Sequence, residues 1–189
     1  MTETEIIAIL KERLSEKRVS HSINTSKEAQ ALAIRWGADI EKCKLAGLIH
    51  DCGKLKNKDE IIPECEKYEI ELTEEDLKCP QIIHSYLSEA IAREEYKIED
   101  REVLAAIRNH TLGRENMSLV EKIIFTADMI EPGREDIFQS IKKLAYEDLD
   151  KAVLEIYKQT IDYNVKKGNH VHKTALQNKI KLEEELYGT

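Results

Sequence analysis

The stretch Leu48-Ile49-His50-Asp51-Cys52-Gly53-Lys54 decides how this chain is read. An apolar helical run ends in an adjacent imidazole and carboxylate, one nitrogen and one oxygen donor on the end of a rigid element, which is a pairing suited to a metal ion. A His-Asp dipeptide also occurs by chance, so its meaning rests on the residues around it. Those are His21 upstream and His84, His110 and Asp128 downstream.

Reading outward from the pair gives helices. Upstream, Ile6, Ile7, Ile9, Leu10 and Leu14 mark a first amphipathic helix. Ser20 begins a second, which carries Ala29, Leu32, Ala33 and Trp36 and stops at Gly37, so that His21 falls in its first turn. Asp39 is the N-cap of the next helix, which holds His50 and Asp51 in its last turn and is terminated by Gly53. Downstream, a short helix from Glu60 to Tyr68 is interrupted near Pro63, and Thr73 opens a polar turn leading to Pro80. A helix from Gln81 to Glu95 has His84 in its first turn, and Asp100 caps another that ends at His110. Ser118 and Glu121 form the capping box of a helix that carries Asp128 and is closed by Pro132-Gly133. The segments 136–167 and 174–186 read as helices separated by a break at Gly168-Asn169. Every candidate ligand thus lies on a helix or at its end.

Composition agrees. Among 189 residues there are only 7 Gly, 3 Pro and 5% aromatics against 35% charged residues, which favours an all-α bundle over a turn-rich β fold and predicts one domain spanning 1–189. A net charge of −8 argues against a nonspecific nucleic-acid binder or an acidic-membrane binder, since both need a basic footprint. A phosphate substrate remains compatible, because bound cations can dominate the local field. No apolar run approaches the roughly 18 to 20 residues that cross a bilayer. Cys43, Cys52, Cys65 and Cys79 contain no C-x-x-C pair, and the Met-Thr-Glu-Thr-Glu start lacks the features of a signal peptide. A reducing cytoplasm is the expected setting, with the cysteines acting as small buried hydrophobes.

Taken singly, the donors have plain accounts: His21 as a polar residue near a helix start, His84 and His110 as satisfied imidazoles, Asp128 as a salt-bridge partner. Together, four histidines and two aspartates on apolar stripes are costly to bury unless paired or bound to metal. Two-metal hydrolysis needs such a set, because cations about 3.5 to 4 Å apart share a bridging ligand and keep positions open. Asp51 is the natural bridge. An imidazole and carboxylate shell without thiolate suits iron, manganese, cobalt or zinc.

His21, the pair His50-Asp51 followed by Lys54, and Asp128 reproduce the H…HD…D pattern of the HD-domain metal-dependent phosphohydrolases. The phrases Ala46-Gly47-Leu48-Ile49-His50-Asp51, Ala106-Ile107-Arg108-Asn109-His110-Thr111, Met117-Ser118-Leu119 and Ile130-Glu131-Pro132-Gly133-Arg134 narrow the match. Over about Ser20 to His172 the chain resembles the bacterial YqeK family, symmetrical dinucleoside tetraphosphatases with a di-iron centre. The resemblance implies a helical HD fold with a core of about 20–135 and C-terminal helices over 136–189. It implies one metal on His21, His50, Asp51 and Asp128 and a second on His84, His110 and Asp51, the last three standing at the reacting centre. The implied substrate is diadenosine tetraphosphate, cut to two ADP by in-line attack of water while the cations neutralise developing charge. As polyphosphate contacts we single out Lys54, Arg114 and Arg134, with solvated charge or a salt bridge the plain alternative, above all for Arg114.

The chain departs from the family pattern in three places. Cys52-Gly53 replaces a larger residue and an alanine, Ser85-Tyr86-Leu87-Ser88-Glu89 is bulkier than the glycine-containing phrase common there, and His172-Lys173 replaces a His-Pro pairing. No role is therefore carried to His170 or His172, which read as loop histidines. Rival readings are an HD phosphohydrolase of a mononucleotide, cyclic nucleotide or alarmone, and a noncatalytic HD regulatory module. A ferritin-like di-iron protein would use Glu-x-x-His pairs, and no histidine here has a Glu three residues before it. Oligomeric state is left open, a homodimer included.

Overall fold

Helix starts follow the short polar side chains. Thr2, Asp39, Thr73, Asp100, Ser118 and Asp148 each accept a backbone N–H one turn on, and each opens a helix. The computed structural model describes residues 1–134 and 136–188, with the backbone alone at 58 and 136–139; the expected core boundary at 135 lies outside the described residues. Within them every regular element is helical. The α-helices are α1 (Glu3–Arg13), α2 (Glu16–Trp36), α3 (Ile40–Ile49), α4 (Ile61–Lys67), α5 (Glu74–Leu77), α6 (Ile83–Glu94), α7 (Arg101–Asn109), α8 (Leu119–Ile130), α9 (Asp136–Glu147), α10 (Leu149–Lys166) and α11 (Lys173–Tyr187).

Helix α2 packs along α3 and across α8, α7 lies between α6 and α8, and α10 rests on α8, α9 and α11. One cluster of buried side chains runs from Ile6 to Tyr157. The α2–α3 contact is close because Gly47 faces Ser26: a Cβ at 47 would stand 2.9 Å from the Ser26 Cα. This explains why Thr25 and Ser26, polar in sequence, are buried.

Four local expectations are corrected. Helix α2 starts from Ser15 rather than Ser20, because Val19 already lies on the buried stripe shared with Ser22, Ser26 and Ala29. His21 is therefore in the second turn. Pro63 does not interrupt α4, since it sits in the first turn, where its missing N–H has no intrahelical partner to lose. The turn after Thr73 contains α5, held by a capping box in which Thr73 and Asp76 exchange hydrogen bonds. Finally, α3 ends at Ile49, with His50 its C-cap and Asp51 in the turn beyond. Gly53 serves packing rather than termination: a Cβ there would lie 2.5 Å from the Ser88 N of α6, and its own N–H donates to Ser88 Oγ at 2.9 Å. The break at Gly168 is as expected, with φ of +71°.

Glu95, just past α6, accepts hydrogen bonds from Tyr68 Oη and Arg13, tying the ends of α4 and α1 to α6. Burial raises the Glu95 pKa, but the Tyr68 and Arg13 hydrogen bonds outweigh it and hold the carboxyl below its ordinary value. A depressed carboxyl pKa stabilises the fold above the unfolded-chain value, and the gain is lost as pH falls through the folded value. Tyr68→Phe should therefore cost about 1 kcal/mol in urea unfolding at pH 7, a figure reduced for partial exposure. The difference between the two proteins should shrink below about pH 4; a gap unchanged from pH 7 to pH 3 would contradict this.

Candidate metal centre

The centre is assembled from helix ends. His50 and His110 are the C-cap residues of α3 and α7, and His84 stands in the first turn of α6. The last carbonyls of a helix have no intrahelical partner. His50 Nδ1 donates to Gly47 O at 2.8 Å and His110 Nδ1 to Ile107 O at 2.7 Å, so those carbonyls fix the ring tautomers. His84 Nδ1 donates in the same way to Gln81 O at 2.8 Å. His21, from α2, points Nδ1 at the buried carboxylate of Glu131, 3.1 Å away, which also accepts the Gly133 N–H at 2.6 Å. With Nδ1 engaged in every ring, all four Nε2 atoms face inward.

There they meet the two aspartates. Asp51, 1% exposed, presents its two oxygens to different pairs. Oδ1 lies 3.0 Å from His84 Nε2 and 3.6 Å from His110 Nε2. Oδ2 lies 3.7 Å from His21 Nε2 and 3.8 Å from His50 Nε2. Asp128, from the last turn of α8, places Oδ1 at 2.9 Å from His21 Nε2 and 3.6 Å from His50 Nε2. The Nε2 atoms of His21 and His50 are 3.3 Å apart, and those of His84 and His110 are 3.1 Å apart.

The residues fit a bound metal. Bare nitrogen lone pairs this close, beside two carboxylates, repel one another unless a cation or proton lies between them. Asp51 Oδ1 is buried and accepts no hydrogen bond, an arrangement that costs about 1 to 3 kcal/mol unless something else satisfies it. Donor separations of about 3.0 to 3.5 Å are those around a cation with bonds of about 2.0 to 2.2 Å. Among the described residues, three overlapping donor groups have ligand atoms within 4.8 Å of one another: His21, His50 and Asp51; Asp51, His84 and His110; and His50, His110 and Asp128.

Electrostatics favours charged carboxylates and a neutral His84. Burial raises the Asp51 pKa, yet the facing His50, the Lys54 charge and the facing His110 and His84 hold it well below the carboxylate range. Asp128 is likewise buried and held low, by Arg134, His21 and His50. Burial, reinforced by the Lys54 charge, holds His84 down to about 4, so it is neutral at pH 7. His21 moves the other way: burial lowers it, and Asp128 and Asp51 together raise it further than that.

The six sequence-predicted donors therefore come together. Lys54 joins them, with Nζ 3.6 Å from Asp51 Oδ2, and Arg134 folds over Asp128, donating from Nε to the Asp128 carbonyl at 2.7 Å and from Nη2 to its carboxylate. Arg114 does not. Its guanidinium makes two 2.6 Å hydrogen bonds with Glu121, the buried carboxylate of the α8 capping box, and it lines a separate surface cleft. The sequence reading missed Arg18 and Glu131. Arg18 Nη1 lies 3.1 Å from Asp51 Oδ2, and its place three residues before His21, on the same helical face, was the available signal. Tyr86, the bulkiest departure from the family phrase, faces away from the metal donors: its hydroxyl donates to Asp76 Oδ1 at 2.8 Å and Arg108 stacks on its ring at 3.9 Å. Cys52, beside Asp51, is wholly buried and its thiol is pushed up to about 12, which makes it a packing residue. Arg114→Ala should lower unfolding stability by about 1 to 3 kcal/mol by leaving the Glu121 charge short of a partner. Hydrolysis measured well below the melting temperature should stay within about twofold of the parent, about 0.4 kcal/mol on the rate scale.

Known proteins resemble this chain over most of its length. Residues 18–133 match the model of the HD domain. The chain is 36% identical over 191 residues to the symmetrical bis(5'-nucleosyl)-tetraphosphatase of Halalkalibacterium halodurans, covering 97% of this chain and 100% of that one. Proteins of the same name from Bacillus subtilis and Staphylococcus aureus are 34% and 37% identical, over 90% and 89% of this chain and 92% and 88% of theirs. A Clostridium acetobutylicum crystal structure, described as a predicted HD superfamily hydrolase involved in NAD metabolism, superposes with a TM-score of 0.93 at 38% identity and covers 98% of both chains. The chain belongs to the HD-domain hydrolases, and among them to the family of the symmetrical bis(5'-nucleosyl)-tetraphosphatases.

Proposed function

We propose that this protein hydrolyses diadenosine tetraphosphate at its central anhydride to give two ADP, using two divalent cations, iron by preference. The observation that carries the reading is the convergence of four Nε2 atoms and two carboxylates, with Asp51 turning one oxygen to each histidine pair. His21, His50, Asp128 and Asp51 Oδ2 would hold one cation, and His84, His110 and Asp51 Oδ1 the other. When bound, the cations supply Lewis acidity at the phosphoryl oxygens undergoing reaction.

The chain's own groups do the rest. Arg18, Lys54 and Arg134 ring the donors as charged hydrogen-bond donors for the polyphosphate. The Gly47, Gln81 and Ile107 carbonyls and Glu131 keep each imidazole in its binding tautomer, which preorganises the site. Burial of Asp51, His50 and His110 puts the donors in a low-dielectric surround, where their electrostatic interactions are stronger. Four free, buried cysteines support a cytoplasmic setting, and among the described residues no helix is long and apolar enough to cross a membrane. A second reading, a substrate drawn from NAD metabolism such as NAD itself, takes its support from the Clostridium acetobutylicum structure, described as a hydrolase involved in NAD metabolism.

Chromatography of products after anaerobic loading with ferrous iron tests both. ADP as sole product from diadenosine tetraphosphate, abolished by chelation and by Asp51→Ala, is expected. AMP plus ATP would reject the central cut, and faster turnover of NAD would favour the second reading.

A further inference from the structure

Two cavities flank the metal donors, and they are unlike. On the His21 side a groove of about 630 Å³ is lined by Lys17, Arg18, Arg134 and Tyr163, a residue 58% exposed. On the His84 and His110 side a cavity of about 200 Å³ is lined by Phe125, Ile156, Ile161 and His172. Met129 and Thr160 line both, so the two spaces adjoin beside the donor cluster. Each holds unspent hydrogen-bonding capacity: Thr160 Oγ1 and Gln159 Oε1 are buried without partners, and so is His172 Nε2. His172 Nδ1 accepts the Thr174 N–H at 3.2 Å, which leaves the proton on Nε2, a buried donor 3.3 Å from Asp76 Oδ1 but not hydrogen-bonded to it.

We infer that the two nucleoside diphosphate halves of the substrate occupy these two cavities and are read unequally. This rests on the proposed function. The mostly apolar cavity rewards burial of a purine, and the unpartnered His172 Nε2–H on its wall discriminates, because a base that leaves a buried donor unpaired is rejected. The groove recognises charge and a π-face: Arg18 and Arg134 take phosphates, and the exposed Tyr163 ring stacks on a base, an interaction that tolerates any base. A tetraphosphate spanning both halves crosses the donor cluster at its centre. Because the halves differ, a mixed dinucleotide binds in one preferred direction, and water attacks one preferred phosphorus. The new P–O bond comes from water, the bridging oxygen leaves on the other central phosphorus with the electron pair, and one proton is released.

The test is hydrolysis of adenosine-uridine tetraphosphate by the iron-loaded protein in ¹⁸O-water, with the label read by mass in ADP and UDP. We expect one product to carry the label in about tenfold excess or more. Tyr163→Ala, at an exposed position, should raise KM for diadenosine tetraphosphate on the order of tenfold with a smaller change in kcat, and Tyr163→Phe should restore KM because it keeps the ring. Label shared equally between the products overturns the unequal halves and leaves the proposed reaction standing. An unchanged KM in Tyr163→Ala overturns the placement in the groove. No hydrolysis of either dinucleotide overturns both inference and function.

Discussion

The structure depends on where four imidazole protons are held. Each Nδ1–H is taken by a group outside the centre, three of them backbone carbonyls three residues earlier and the fourth the Glu131 carboxylate. Each Nε2 lone pair is thereby turned inward onto two buried aspartates. Without a cation this concentrates electron density in a low-dielectric core, and with one it becomes a preorganised ligand shell. The helix ends that supply the carbonyls also supply the histidines. The same local geometry thus satisfies orphan backbone groups and builds the site.

The surrounding packing keeps that arrangement in register. Gly47 brings α3 close to α2 at Ser26, and Gly53 brings the turn after Asp51 against the backbone of α6. These contacts bind together the elements that carry His21, His50, Asp51 and His84. Arg18, Lys54 and Arg134 then form a local cationic rim on a chain whose net charge is −8. Field at a site is set by its near neighbours, so an acidic protein can hold a polyphosphate site.

Much of this was legible in the sequence. The 3.6-residue periodicity and the caps at Asp39, Asp100 and Ser118 mark their helices, and the six donors are recognisable by type and order. What escaped has physical reasons. The start of α2 was placed late because Ser15 caps it without a side-chain hydrogen bond and its first turn is polar, so that only the burial of Val19 marks it as part of the helix. Gly53 reads as a terminator because sequence does not reveal close approach by a distant backbone. Arg114 was misplaced and Arg18 overlooked for one cause: proximity in sequence to a ligand does not tell which carboxylate an arginine meets in space. Arg114 meets Glu121, and Arg18 meets Asp51.

The claim that the six donors form one two-cation centre is tested most directly by anomalous diffraction from crystals grown with ferrous iron or manganese. Two peaks are predicted, one among His21, His50 and Asp128 and one between His84 and His110, with an Asp51 oxygen touching each. A single peak, or two peaks not sharing Asp51, would contradict the account.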